Sequence, residues 1–90
     1  MAKTVKIQII GMKFVPDTVA IVVGDTVEWT NEDAMPHSVV ADSGFFASPR
    51  LAKTDTYPYQ FSTAGSVDYH CGFHPKAMKG KVVVGKGSTQ

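Results

Sequence analysis

Apolar and polar residues alternate one by one along much of this chain. In the first segment Val5, Ile7 and Ile9 fall on one side, and Lys6 and Gln8 fall on the other. A period of two is typical of a β-strand with one buried face, and helical periodicity is nearly absent from the sequence. The pattern therefore predicts a protein made of β-strands packed around a core.

The same alternation recurs in further short segments that end at residues typical of turns. Val27 and Trp29 share one face of their strand, and Gly24-Asp25 before them predicts a chain reversal. Pro58 predicts that its strand lies at a sheet edge or carries a bulge. The predicted strands cover residues 5–9, 19–23, 27–30, 38–40, 56–61, 67–71 and 81–84. These short strands, about seven in number, predict a two-sheet antiparallel sandwich.

The bulk composition indicates an ordinary globular protein. At 90 residues the chain has the size of one domain, and we expect a single domain over residues 1–90 with a loose tail at residues 85–90. A net charge of +1 argues against a protein dedicated to binding nucleic acid or membrane surfaces. The apolar runs are only a few residues long, far short of a membrane span.

The residues with metal-binding chemistry are concentrated around the single cysteine. Cys71, His74 and Met78 lie within one short segment, and His37 lies far upstream after Pro36. A lone cysteine cannot form an intramolecular disulfide, so it is a buried apolar residue, a reactive thiol or a metal ligand. A thiolate, two imidazoles and a thioether suit copper in both oxidation states better than other common metals. This set of donors predicts a copper protein that carries one electron.

The strand periodicity indicates how these donors meet. Cys71 is in phase with the inward positions 67 and 69, so it points into the sandwich at the end of its strand. His70 points the other way and is expected to remain structural. A chain reversal after Cys71 would bring the three donors of this segment to one point, and His37 would arrive from a loop of the other sheet.

At these residues the sequence resembles the amicyanins, within the plastocyanin-like cupredoxins. The resemblance covers most of the chain, from about residue 5 to residue 84, and the pattern of His, then Cys-x-x-His, then Met is specific. The segments that carry it are Gly24–Trp29, Ala34–Val39, Ala64–Cys71, His74–Pro75 and Lys79–Val84.

The resemblance implies an all-β fold, a cupredoxin-type Greek-key β-sandwich of two sheets and about eight strands, with one type 1 copper ion near one end. It implies His37, Cys71 and His74 as the strong copper ligands and Met78 as the axial ligand. The carbonyl of Pro36 would lie on the opposite axial side, too distant to bond strongly. The implied function is that of a small blue copper protein that shuttles one electron by Cu(II)/Cu(I) cycling.

Two positions depart from the family pattern. The residues Pro75-Lys76-Ala77 separate His74 from Met78, where amicyanins usually have one residue fewer and plastocyanins one more. Ser38 follows the first histidine, where Asn usually ties the two ligand loops together. A shorter side chain at this position predicts a looser shell around the cysteine sulfur, and that shell tunes the reduction potential.

The resemblance also implies transient redox partners, namely a donor dehydrogenase or oxidase and an acceptor cytochrome or terminal enzyme. Lys76 and Lys79 flank the ligand loop, and Lys13 could lie near them. These lysines form either an ordinary solvated rim or a weakly basic ring around an apolar docking patch at His74. We expect a monomer. The first residues lack the apolar region of a signal peptide, which fits either a cytoplasmic protein or one whose signal has been removed. We expect a periplasmic protein with its signal removed, while a cytoplasmic location stays open.

Two other functions stay open on the sequence alone. The same donors could hold Cu(I) for storage or delivery of copper without redox cycling. Cys71 and His74 could instead act as nucleophile and base in an enzyme, although no third orienting group accompanies them. We favour the electron carrier and expect no enzyme activity.

Overall fold

A computed structural model of the protein describes residues 2–87. Its strands are β1 (Thr4–Ile10), β2 (Lys13–Val15), β3 (Thr18–Val22), β4 (Thr26–Asn31), β5 (Val40–Ala41), β6 (Thr56–Gln60), β7 (Gly65–His70) and β8 (Lys79–Gly85). The last strand ends where the predicted tail begins, and residues 88–90 of that tail lie outside the described residues. In the described part of the chain, no helix has the length and apolar character that crossing a membrane requires.

The strands form two four-stranded sheets, with the orders β2-β1-β4-β6 and β3-β8-β7-β5. The predicted sandwich of two sheets and about eight strands is confirmed. The prediction of antiparallel pairing holds for four of the six strand pairs and is wrong for two, because β1 pairs with β4, and β3 with β8, in parallel. The chain leaves the first sheet after β2, forms β3 in the second and returns as β4 beside β1. Alternation identifies the buried face of a strand but carries no information about the direction of its neighbour.

Two edge features of the first sheet bear on the sequence predictions. Pro58 lies in β6, which is the last strand of its sheet, so the predicted edge position is confirmed. At the opposite edge, β2 was missed by the sequence analysis. It has only three residues, too few for an alternating pattern to be recognised.

The prediction of a strand at residues 38–40 is wrong for residues 38 and 39. Only Val40 belongs to a strand, β5, and the residues before it pair with the segment 47–51 instead. The Leu51 N–H donates to the His37 carbonyl at 2.8 Å, and the His37 N–H donates back to Leu51 at 3.1 Å. This exchange fixes the backbone of His37 against a second loop.

Trp29 occupies the centre of the core, as its phase in β4 predicts. Its ring packs edge-on against Tyr69 of the other sheet, with 5.3 Å between ring centroids, and against Phe46 at 5.6 Å. Both Trp29 and Tyr69 are buried, and burial raises the pKa of Tyr69 to about 12. Aromatic pairs of this kind contribute about 0.5–1.5 kcal/mol beyond their buried area, so this pair helps to hold the two sheets together.

A buried carboxylate fastens the turn between β3 and β4. The Lys3 N–H donates to one oxygen of Asp25 at 3.0 Å, and the Val22 N–H donates to the other at 3.1 Å. The bonds from Val22 and Lys3 lower the pKa of Asp25 below its ordinary value of 3.8. Asp25 therefore joins the residue just before β1 in one sheet to the end of β3 in the other.

We expect Asp25→Asn to lower the free energy of unfolding at neutral pH. The folded carboxyl has a lower pKa than the unfolded one, so its stabilising contribution is present above pH 3.8 and is lost as the pH falls through the folded pKa. Urea unfolding across this range should show the difference between variant and parent narrowing at acidic pH. Asp17→Asn, at an exposed site, is the control. A difference that stays constant down to the acid limit would contradict the prediction.

Candidate metal centre

Cys71 follows the last residue of β7 and is fully buried, as its phase in the strand predicts. Its backbone N–H donates to the Met78 carbonyl at 3.0 Å, which closes the loop that follows. The Ser38 N–H approaches its sulfur at 3.5 Å. The sulfur therefore lies between its own loop and the loop that carries His37.

His37 is also fully buried, although it lies in a loop between β4 and β5. The side-chain amide of the buried Asn31, at the end of β4, holds this loop through two hydrogen bonds. Its Nδ2 donates to the carbonyls of Met35 and Leu51, each at 2.9 Å. Together with the backbone exchange between His37 and Leu51, these bonds fix the position from which the imidazole projects.

The two side chains meet at the end of the sandwich. The His37 Nδ1 lies 3.6 Å from the Cys71 Sγ. A nitrogen about 2.0 Å and a sulfur about 2.3 Å from one metal ion, at an angle between tetrahedral and trigonal, lie about 3.5–3.7 Å apart. The observed separation fits two ligands of a single ion.

The loop after Cys71 carries the other two candidate donors. The His74 N–H donates to the Cys71 carbonyl at 3.2 Å, and the Met78 N–H donates to the His74 carbonyl at 3.0 Å. Pairing of His70 with Lys79 between β7 and β8 holds the two ends of this loop together. Met78 is buried, with 1% of its surface exposed, whereas His74 is partly exposed.

The four predicted donors differ in how closely the structure brings them together. The rings of His37 and His74 are 5.6 Å apart, centroid to centroid, and nearly edge-on. Within residues 2–87, no three His, Cys, Asp or Glu side chains are close enough to form a complete metal cage. The structure thus brings Cys71 and His37 into contact, with His74 beside His37 and Met78 buried in the same loop as Cys71.

Ser38 links the two ligand loops through its hydroxyl. The Gly72 N–H donates to the Ser38 Oγ at 2.9 Å. A Cβ at Gly72 would lie only 2.6 Å from that oxygen, so the absence of a side chain there permits the close approach. Ser38 therefore joins the two ligand loops although its side chain is short, and its hydroxyl oxygen is the acceptor of the hydrogen bond.

Asp33 was not identified as a functional residue by the sequence analysis. Its carboxylate accepts the Gly11 and Met12 N–H groups at 2.8 and 3.0 Å, and its Oδ2 lies 2.9 Å from the His37 Nε2. Burial raises the pKa of Asp33, but the bonds from Met12, Gly11 and His37 outweigh it and lower the pKa overall. The available signal was an acidic residue four positions before a candidate histidine ligand, because such ligands usually donate their second N–H to an acceptor.

His70 takes no part in this arrangement. Its Nδ1 lies 2.6 Å from a carboxylate oxygen of Asp42 at the outer surface of β7. The prediction that His70 points away from the core and is structural agrees with this position.

Comparison with known proteins assigns the chain to a family. Residues 1–85 match the family model described as copper binding proteins, plastocyanin/azurin family. The chain belongs to this family. Copper is accordingly the metal that fits the buried thiol and imidazole, in agreement with the choice made from the donor types.

Relatives in the plastocyanin/azurin family agree with this assignment. The chain is 41% identical to the amicyanin of Paracoccus denitrificans, in a match covering 87% of this chain and 63% of that protein. It is 38% identical to the chloroplastic plastocyanin of Tetradesmus obliquus, over 79% of this chain and 57% of the relative. The chain thus spans less than two thirds of the length of each of these two proteins.

A solved structure of a methionine-to-glutamine variant of amicyanin with Cu(I) has the same architecture. It superposes with a TM-score of 0.84 at 38% identity, covering 90% of this chain and 81% of that one. The arrangement of eight strands in two sheets is therefore the fold of the amicyanins, as the sequence resemblance implied.

We expect Ser38→Ala to destabilise the metal-free protein by about 1 kcal/mol, because the Gly72 N–H loses its acceptor. Chemical denaturation of the metal-free protein measures this difference. Ser43→Ala, at an exposed serine, provides the matched control. If both variants unfold at the same denaturant concentration, the Ser38 hydroxyl does not tie the loops.

Proposed function

We propose that this protein is a small electron carrier that binds one type 1 copper ion through His37, Cys71, His74 and Met78. The observation that carries the proposal is the buried 3.6 Å contact between the Cys71 Sγ and the His37 Nδ1. Membership of the plastocyanin/azurin family supports copper as the ion. Copper held there would supply a one-electron Cu(II)/Cu(I) couple.

A rigid donor frame supports electron transfer. The bonds of Asn31 to the Met35 and Leu51 carbonyls fix the loop of His37, and the bond to the Met78 carbonyl fixes Cys71. Donors that are held in place before the metal arrives need to move little when its charge changes. Small rearrangement favours fast transfer of an electron.

Burial of the thiol argues against the enzyme alternative. Cys71 has 0% of its surface exposed, so a substrate carbonyl has no approach to the sulfur. Reactive cysteines, by contrast, lie in partly exposed electropositive surroundings. We therefore propose that the protein carries electrons and is not an enzyme, and no observation favours the copper storage alternative over the carrier.

Exposed side chains of the two ligand loops support a docking role. Phe73 beside His74 and Met35 of the His37 loop each have 49% of their surface exposed, and the exposed Lys76 and Lys79 lie on the same ligand loop as Phe73 or at its end. Apolar side chains with a few cations suit brief contact with a neutral or acidic partner over a small interface. We propose a redox protein as that partner, with a periplasmic location and a monomeric state as in the sequence-based expectation.

Addition of one equivalent of Cu(II) tests the proposed function. We expect an intense visible absorption from a thiolate-to-Cu(II) transition, which bleaches on reduction and is lost in Cys71→Ser. His70→Gln is the control, because that histidine bonds to Asp42 and should leave the colour unchanged. A colourless protein after loading would refute the proposal, and slow electron self-exchange with copper transfer to an acceptor protein would favour storage or delivery.

Replacement of Met78 tests its axial role. We expect Met78→Gln to keep the colour while lowering the reduction potential, because an amide oxygen gives a stronger axial field and favours Cu(II). Voltammetry and the paramagnetic resonance spectrum measure both properties. Met35→Gln, at an exposed methionine outside the donor set, should change neither. A spectrum and potential that Met78→Gln leaves untouched would mean that Met78 is not a ligand.

A further inference from the structure

The two ring nitrogens of His37 face different partners. Nδ1 faces the Cys71 Sγ at 3.6 Å, and Nε2 faces the Asp33 Oδ2 at 2.9 Å. A carboxylate only accepts hydrogen bonds, so the ring nitrogen beside it must carry the hydrogen. The Nδ1 of a neutral ring then has its lone pair free on the side of the sulfur.

Asp33 is itself held on several sides. Its Oδ1 accepts the Gly11 N–H, its Oδ2 accepts the Met12 N–H, and its own N–H donates to the Asn31 Oδ1 at 2.8 Å. Gly11 and Met12 form the turn between β1 and β2, and both have a left-handed backbone, with φ of 63° and 62°. The carboxylate is thus anchored by two backbone N–H groups of the turn at the edge of the first sheet, which opposes its movement with a rotating imidazole.

We propose that Asp33 is a positioning residue of the copper site, which accepts the His37 Nε2–H and holds the ring with Nδ1 directed at the Cys71 sulfur. The role rests on the proposed function, because a fixed ring orientation matters only where Nδ1 binds an ion. The carboxylate also makes the imidazole a more basic ligand, and its negative charge stabilises the more highly charged Cu(II). Asp33 therefore both orients a ligand and lowers the reduction potential.

The chain offers a matched control for this role. Asp42 and His70 form a second aspartate–histidine hydrogen bond at 2.6 Å, on a histidine outside the proposed ligand set. Asp42→Asn removes the same kind of carboxylate as Asp33→Asn, and each substitution changes the net charge by the same amount. A difference between the two variants therefore results from the location of Asp33 beside His37, and not from the loss of one negative charge.

We expect Asp33→Asn to raise the reduction potential and to weaken Cu(II) binding by about 10-fold to 100-fold, the range found when outer partners of metal-ligating histidines are removed. Asp42→Asn should leave both properties near those of the parent. Voltammetry and competition with a chelator measure them on the copper-loaded proteins. Equal behaviour of the two variants, or a loss of stability in Asp33→Asn with unchanged potential and affinity, would overturn the proposal.

A measurement on the unmodified metal-free protein covers the case in which Asp33→Asn does not fold. Nitrogen-15 NMR of the His37 ring at neutral pH should show a hydrogen on Nε2 and a bare Nδ1. The opposite tautomer, or a ring that exchanges freely between the two, overturns the role of Asp33. If the parent gives no visible band with Cu(II), the proposed function fails, and the tautomer still decides whether Asp33 orients the ring.

Discussion

The contact between Cys71 and His37 joins parts of the chain that belong to different sheets. Cys71 follows β7 of the second sheet, and His37 lies in the loop that leaves β4 of the first. Their 3.6 Å separation depends on how the two sheets pack, because neither loop alone contains both donors. The Trp29–Tyr69 pair and the hydrogen bonds of Asp25 to Lys3 and Val22 both connect the two sheets. The core and the candidate metal centre therefore depend on the same contacts.

Hydrophobic alternation was sufficient to predict the inward side chains. The inward position of Cys71 and the outward position of His70 both followed from the period of two in β7, because burial of one face fixes every second side chain. Trp29 was assigned to the core by the same reasoning. The upstream ligand candidate, His37, was identified from its motif and family resemblance, since its loop has no regular period.

The sequence analysis did not identify the supporting polar contacts, although the spacing of Asp33 and His37 offered a signal for one of them. Asn31 ends β4 and Asp33 follows it, and their bonds to the Met35 and Leu51 carbonyls and to His37 depend on how the following loop folds back. The parallel neighbours of β1 and β3 were missed for a related reason, since they depend on which sheet receives each strand. Local patterns report burial, whereas these features depend on the path of the whole chain.

Three of the four proposed donors occupy residues 71–78, and the His70–Lys79 pair of β7 and β8 closes that segment at its base. A hairpin anchored in this way can gain or lose a residue at its tip while the ladder below it keeps its register. Such a change would move the thioether relative to the sulfur and the imidazoles without repacking the sandwich. A change in the length of this loop could therefore adjust the reduction potential of a bound metal while the rest of the fold stays the same.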